Sequence, residues 1–333
     1  MDLSNRDEGQ GVSVALATYN GEDYLAEQLD SILIQTVPPR EIVIFDDGST
    51  DSTMAILEEF AQRVPFTVKI FRNACNLGYV RNFDRVLQAC SGSIVFLCDQ
   101  DDVWFPEKIE GVLKVFSECR RATLVVHDLE FCDRDLVPIG QTKLQRMAQG
   151  ADIERDYVVG MATAVRGDFL RLCLPIPASV GVAHDRWLHD CAAAVGGKVV
   201  LPQVLALYRR HGENATARKS VNVDYVTGRW SFLWARFREP SRVKSLTDVP
   251  ASPLAEWLES RRSVLIENGF LTSGGIDQLV ARERHRTDVL RARNGLLQLP
   301  RWQRFVPVFK LLVSGGYGRF FSWKSAVKDL VRR

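Results

Sequence analysis

Ile94-Val-Phe-Leu-Cys-Asp-Gln-Asp-Asp102 is the stretch on which the reading of the fold turns. Five apolar residues bounded by polar ones read as a strand buried on both faces. The strand stops abruptly in three carboxylates within four positions. Upstream, Val12–Ala17, Glu41–Phe45 and Thr67–Phe71 are runs of the same kind, rich in Val, Ile and Phe. Between them apolar residues recur at helical spacing: Leu25, Leu29 and Ile32/Leu33; Ile56/Leu57 and Phe60; Phe83, Val86/Leu87 and Cys90. Strands alternating with helices imply right-handed crossovers and a mostly parallel sheet. Ligands of such sheets sit beyond the carboxyl ends of the strands. The residues that follow each run are Thr18-Tyr-Asn-Gly21, Asp46-Asp-Gly-Ser-Thr-Asp51 and Asp99-Gln-Asp-Asp102, so one rim collects the polar chemistry.

Downstream, Pro106 suits the first turn of a helix carrying Ile109, Val112/Leu113 and Phe116. Thr123–His127 and Tyr157–Val165 read as strands and Ala183–Val195 as a helix. Val199–Leu201 and Val204–Tyr208 read as two short strands broken at Pro202. From about residue 220 the pattern turns helical and basic, after the turn-rich His211-Gly-Glu-Asn214, which divides the chain into 10–215 and 216–333.

The 333 residues are 46% apolar and 25% charged, ordinary values for a globular chain, with no internal repeat. Met1–Glu8 is polar and acidic, unlike a signal peptide, and no apolar run nears the roughly 18 residues of a membrane span. Seven scattered cysteines without a C-x-x-C pair read as reduced thiols of a cytoplasmic protein. The net charge of +2 conceals a division, because residues 209–333 hold 24 Lys and Arg against 11 Asp and Glu. The acidic front half is a poor surface for nucleic acid, and the basic half carries no base-stacking or groove-reading motif.

Carboxylates crowded at a strand end repel one another unless a cation neutralises them. Mg²⁺ or Mn²⁺ commonly takes one or two carboxylates together with substrate phosphate oxygens. The competing reading of Asp99–Asp102 is a solvated acidic turn in which Asp102 caps the next helix. In the second acidic loop Ser49, Thr50 or Asp51 suits a helix cap and Gly48 a tight turn. Asp46 and Asp47 would face the base or ribose hydroxyls of a nucleotide rather than its anionic diphosphate. Tyr19 could stack on a base.

V-A-L-A-T-Y-N-G (14–21), P-R-E-I-V-I-F-D-D-G-S-T-D-S-T (39–53), N-L-G-Y-V-R-N (76–82) and F-L-C-D-Q-D-D-V-W (96–104) together resemble the family 2 glycosyltransferases. The likeness runs on through Gly160-Met-Ala-Thr163, His184-Asp-Arg-Trp187 and Tyr208-Arg-Arg-His-Gly-Glu-Asn214. The resemblance implies the GT-A fold, a Rossmann-like α/β sheet with flanking helices, here followed by a basic helical region. It implies inverting transfer of a sugar from a nucleotide-sugar donor to a glycan acceptor, with a divalent cation as cofactor. Position by position, it places Ala17, Tyr19, Asn20, Asp46 and Asp47 at the nucleotide, and Asn76, Gly78 and Asn82 near base and ribose. Asp99 and Asp101 form the D-x-D motif, with Asp101 foremost at the metal. Gly160 and Thr163 line the sugar pocket, and Arg209 and Arg210 meet the departing diphosphate. His211 is a further metal or diphosphate ligand. Inverting transfer needs one carboxylate to take the acceptor proton. The resemblance assigns that role to Asp185, which could equally be a helix N-cap; His184 and Asp190 are weaker alternatives. His184-Asp185 stands where the family more often has Glu-Asp.

The motifs are most similar to the branch that builds O-antigen and related bacterial surface polysaccharides. That branch implies a dTDP- or UDP-sugar donor, dTDP-rhamnose foremost, and a lipid-linked acceptor. A metal-dependent nucleotidylyltransferase would need a basic Gly-rich loop near the N-terminus, which is absent; an inactive glycan-binding relative should have lost the D-x-D or Asp185. In the tail, Trp302, Phe305, Val308/Phe309 and Leu312 form one helical stripe, and Phe320, Trp323, Val327 and Leu330/Val331 another. Each lies among Arg and Lys. Such helices suit the inner face of a membrane, or a packing surface on the rest of the chain.

Overall fold

The computed structural model describes residues 11–147, 153–178, 183–211, 251–320 and 323–331. Gly212-Glu-Asn214, the expected boundary near residue 216, and Arg332 and Arg333 lie outside them. The chain separates into two compact units, Met1–Ala217 and Arg218–Arg333.

The first unit carries nine strands: β1 (Val12–Thr18), β2 (Glu41–Asp46), β3 (Thr67–Arg72), β4 (Ile94–Cys98), β5 (Val103–Trp104), β6 (Leu124–Cys132), β7 (Pro138–Thr142), β8 (Thr163–Arg166) and β9 (Lys198–Arg209). Among the described residues they form one sheet in the order β3-β2-β1-β4-β8-β6-β9-β5, with β7 paired to β6. β3, β2, β1 and β4 are parallel, β8 runs antiparallel between β4 and β6, and β9 is parallel to β6. Six strands therefore point the same way, and β1, β2, β4 and β9 all end at one rim. Among the described residues eight helices accompany the sheet: α1 (Leu25–Leu33), α2 (Thr53–Arg63), α3 (Tyr79–Ala89), α4 (Lys108–Glu118), α5 (Lys143–Met147), α6 (Ile153–Asp156), α7 (Gly167–Cys173) and α8 (His184–Ala194). Leu25, Leu29 and Ile32 of α1, and Phe83, Val86 and Leu87 of α3, are buried as their spacing requires. Every residue of β4 is buried, which accounts for its unbroken apolar run.

Two expectations fail for local reasons. Only Thr163–Arg166 of the expected strand Tyr157–Val165 joins the sheet, and Gly160–Ala162 is a 3₁₀ turn. Tyr157 is held instead by its hydroxyl, which donates to the His127 carbonyl at 2.9 Å. Pro202 does not break β9: His127 pairs with Leu201 and Asp128 with Val204, so Pro202 and Gln203 form a bulge in one continuous strand.

The second unit is helical: Pro253–Ser260, Arg262–Glu267, Ser273–Leu297, Phe305–Val313, Gly316–Phe320 and Trp323–Val331. Leu296, Val308, Tyr317 and Ala326 form a small core, with Leu299, Leu311 and Leu330 packed against it. Asp329 receives Arg293 Nε at 2.6 Å and the Tyr317 hydroxyl at 2.7 Å, so its buried charge is paired. Val308 and Leu330 thus belong to the inside of this unit and leave the stripes in which the sequence placed them.

Glu41, at the start of β2, ties the far ends of the parallel strands together. Its carboxylate accepts from Ser13 Oγ (2.5 Å), Ser91 N (2.8 Å) and Lys69 Nζ (2.7 Å). Burial alone would raise its pKa, but Lys69, Ser13 and Ser91 outweigh that and hold it at about 2. A depressed carboxylate pKa contributes stability that is complete above the unfolded value and lost as pH falls through the folded one. We expect urea midpoints of the wild-type chain to drop between pH 4.5 and about 2. Glu41→Gln should be less stable at neutral pH and show a shallower acid limb; parallel limbs in the two proteins would remove Glu41 from this role.

Candidate active site

The rim is assembled from backbone turns whose N–H groups are satisfied by side chains. Asp46, fully buried at the end of β2, accepts from Thr18 Oγ1 (3.1 Å), Gly48 N (3.1 Å), Ser49 N (2.9 Å) and the Ser49 hydroxyl. Arg72 Nε lies 3.6 Å from it. Asp47 accepts from Asn73 Nδ2 (2.8 Å), Leu77 N (2.9 Å) and Gly78 N (2.9 Å), which brings the 73–78 loop against the end of β2. Gly78 has φ +83°, the left-handed region that favours glycine, and opens α3. Asn82 is likewise buried, donating to the Phe45 carbonyl (2.7 Å) and accepting from Asn73 (2.9 Å). Asp46, Asp47 and Asn82, expected at the nucleotide, are thus engaged in shaping the cleft. Asp51 accepts from Thr53 N at 3.0 Å just ahead of α2, but the N-cap is Ser52, which makes no side-chain cap bond, so none of Ser49, Thr50 and Asp51 is the cap residue.

The first loop stays open. Ala17 is partly exposed at the end of β1, while Tyr19 and Asn76 are exposed. Asn20, with φ +45°, accepts from Thr50 N at 2.9 Å and donates its own N–H to Ser49 Oγ at 2.9 Å. Gln100 clasps Tyr19 from the acidic loop, accepting from its N–H (2.8 Å) and donating to its carbonyl (3.0 Å). Nothing in the sequence marked Gln100 for this, because an amide between two acids reads as a spacer.

Beyond β4 the charges crowd. Asp99 is partly buried, and burial, with the charges of Asp101 and Asp185 beside it, pushes its pKa up to about 8. Asp102 is fully buried and also raised, by burial first and then by Asp101 and Asp99. It accepts the Arg209 N–H at 3.0 Å, so it is no helix cap, and α4 starts without one. Lys108 is the buried counter-charge: its Nζ lies 3.6 Å from the centre of the Trp104 ring and donates to the Met161 carbonyl at 2.6 Å. Burial lowers its pKa to about 7. Lys108 lies one helical turn before Val112, on the buried side of α4. Asp101 Oδ2 lies 2.8 Å from His211 Nε2, pairing the two residues expected at the metal.

Asp185 lies one residue inside α8, whose N-cap is Ala183 with no side-chain cap bond, so the capping alternative falls away. Its Oδ1 accepts from Arg186 N at 2.7 Å. Gly160 faces it: a Cβ there would stand 3.7 Å from Asp185 Oδ2 and 3.3 Å from His184 Nε2. Asp99, Gly160 and Asp185 therefore share one corner of the rim.

Residues 13–169 match the family model for glycosyl transferase family 2. These residues are a family 2 glycosyltransferase domain. An uncharacterized glycosyltransferase of Nostoc sp. is 31% identical over 61% of this chain and 66% of its own length. A dTDP-rhamnosyl transferase of Shigella flexneri is 37% identical over 29% of this chain and 35% of its own. The chain spans about three fifths to two thirds of the length of the first curated relatives it matches. The structure of S. aureus TarS 1–349 in complex with UDP-GlcNAc superposes with a TM-score of 0.56 at 18% identity, covering 96% of this chain and 89% of that one. The fold is GT-A. Asp185 and Arg209–His211 lie beyond the matched residues, so their placement rests on geometry.

The chain returns to the rim with β9, whose last residue is Arg209; Arg210 follows it. Arg209 turns inward, donating to the Asp101 carbonyl (2.9 Å), the Arg134 carbonyl (2.5 Å) and Glu27. This differs from its expected contact with a diphosphate. Arg210 is exposed, within electrostatic reach of Lys143, as is Asp185. Thr163 is buried, bonding the Val159 carbonyl (2.6 Å) and His189 Nε2 (2.8 Å), so it orders the Gly160 turn from behind. Asp190 is held by Arg186 at 2.9 Å on the exposed side of α8.

Removing Asp46 leaves the Gly48, Ser49 and Thr18 donors and Arg72 without their acceptor. Asp46→Ala should lower stability by about 3 kcal/mol in urea unfolding, and a loss under about 0.5 kcal/mol would mean that the turn holds without it.

Proposed function

We propose that this chain is a metal-dependent inverting glycosyltransferase, with residues 10–215 as its catalytic part. It moves a sugar from a dTDP- or UDP-sugar, dTDP-rhamnose foremost, to a lipid-linked glycan acceptor in the building of a bacterial surface polysaccharide, working in the cytoplasm at the inner face of the membrane. The observation that carries the reading is the corner at which Asp185 meets Gly160 and Asp99 of the family 2 domain. The partial match to a dTDP-rhamnosyl transferase supports the donor.

Asp185 acts as general base. Its carboxylate takes the proton of an acceptor hydroxyl while that oxygen attacks the anomeric carbon. The bond from that carbon to the diphosphate oxygen breaks, and the nucleoside diphosphate departs with the electron pair. Gly160 leaves room for the sugar beside the base. Tyr19, Ala17 and Asn76, the open residues of the rim, suit the nucleotide; Asp46, Asp47, Asn20, Gly78 and Asn82 keep the cleft in shape around it.

Among the described residues no set of three or more His, Cys, Asp and Glu side chains is arranged as a metal site. Asp101 and His211 come as an oxygen–nitrogen pair, with the raised Asp99 close by. Two protein ligands fit a cation that completes its shell with phosphate oxygens and water. The cation would offset the charge developing on the diphosphate, with Arg210 and Lys143 as further cationic groups.

Asp185→Asn should reduce sugar transfer by about 10²–10⁴-fold while preserving the thermal stabilisation given by Mn²⁺ with dTDP or UDP. Asp101→Ala should lose that stabilisation. Normal turnover in the first variant, or an unchanged Mn²⁺-dependent shift in the second, would remove these assignments.

A further inference from the structure

The helix Phe305–Val313 is apolar on two sides, and only one is used by the core of its unit. Val308 is buried in that core, with Leu311 packed against it. Trp302, Phe305, Val306, Phe309 and Val313 are between 60% and 79% exposed, and Leu312 is 43% exposed. At about 100° per residue the five on the helix span a continuous arc of about 120°, and Trp302 lies in the 3₁₀ turn Arg301–Gln303 just before it. The core fixes Val308, so the helix cannot turn this arc inward. Isolated exposed apolar residues are ordinary, but a contiguous patch with three aromatic rings marks an interaction surface.

The charge around the patch identifies its partner. Residues 299–333 contain eight Lys and Arg and one acidic residue, Asp329. Asp329 is buried and paired with Arg293, so it offsets none of the surface charge. Arg301 and Lys310 are exposed beside the apolar arc, and Lys328 is exposed on the last helix. A second copy would set like charge against like. An anionic lipid surface accepts both features, the rings among headgroups and acyl chains and the cations at the phosphates. No described helix is long and apolar enough to cross a membrane. We propose that this face lies in the headgroup layer of an anionic bilayer, with Trp302, Phe305, Val306, Phe309 and Val313 inserted. The assignment rests on the helix itself and stands whatever sugar or nucleotide the glycosyltransferase domain uses.

The test is co-sedimentation of the full chain with vesicles of phosphatidylcholine alone or with about 30 mol% phosphatidylglycerol. Binding should require the anionic lipid and weaken as salt is raised. Phe305→Ser with Phe309→Ser should weaken it by about tenfold or more. Both side chains are mostly exposed, so the urea midpoint should stay unchanged. Ile266→Ser, at an exposed apolar residue of the same unit, should bind as wild type. Brominated acyl chains should quench part of the tryptophan fluorescence, and Trp302→Phe should remove that part. Absence of vesicle binding by folded protein would overturn the proposal, as would equal binding by the double Phe variant. Self-association abolished by the same substitutions would overturn it in favour of a second copy.

Discussion

Negative charge at the end of a buried apolar strand is the constraint around which the first unit is arranged. β4 is wholly buried, and the chain leaves it through Asp99, Asp101 and Asp102 with no solvent-rich turn to disperse their charge. Carboxylates in that position either bind protons or attract cations and N–H donors. Lys108 is drawn into the interior, Arg209 folds back over the loop and gives Asp102 its N–H, and His211 settles against Asp101. The buried lysine and the buried arginine are consequences of the acidic loop, and both would be hard to explain without it.

The other loops of the rim follow a second rule, that a turn at a strand end must satisfy its own N–H groups. Asp46 and Asp47 do this for two successive loops, and Asn73 and Asn82 brace them from below. These bonds make for rigidity: Tyr19 and Asn76 stand exposed on loops whose geometry is fixed by their neighbours.

Much of this was legible in the amino-acid sequence. The strand runs at 12–17, 41–45, 67–71 and 94–98 are observed almost to the residue; β1, β2 and β4 are largely buried, as their apolar runs require, while β3 is a partly exposed edge strand. The acidic rim followed from the same runs, since the carboxyl ends of parallel strands share an edge. What could not be read were partnerships between distant residues. A carboxylate shaping a turn and a carboxylate meeting a ribose look alike in one dimension, and the bonds of Asp47 to Asn73, Leu77 and Gly78 could not be read from it. Arg209 and Arg210 are neighbours in sequence, and only Arg209, the last residue of β9, turns inward. The helical stripe at 302–312 was visible, but periodicity shows only that a face is apolar. Whether that face meets a core is settled by the neighbours, which claim Val308 and leave Phe305 and Phe309 outside.

The overall charge of +2 describes neither half of the chain. Residues 209–333 carry an excess of 13 positive charges, so the remainder carries an excess of 11 negative ones. At physiological ionic strength charges farther apart than about 8 Å are largely screened from one another. The two excesses therefore act where they stand rather than cancelling across the molecule. The acidic surplus culminates at Asp99–Asp102, the crowded strand end around which Lys108, Arg209 and His211 gather. The basic surplus culminates beside Trp302 and Phe305, where an anionic surface is the missing partner of an apolar helix face. Each half is locally unbalanced: the first gathers its carboxylates at a buried strand end, and the second sets its cations beside an apolar arc outside a finished core.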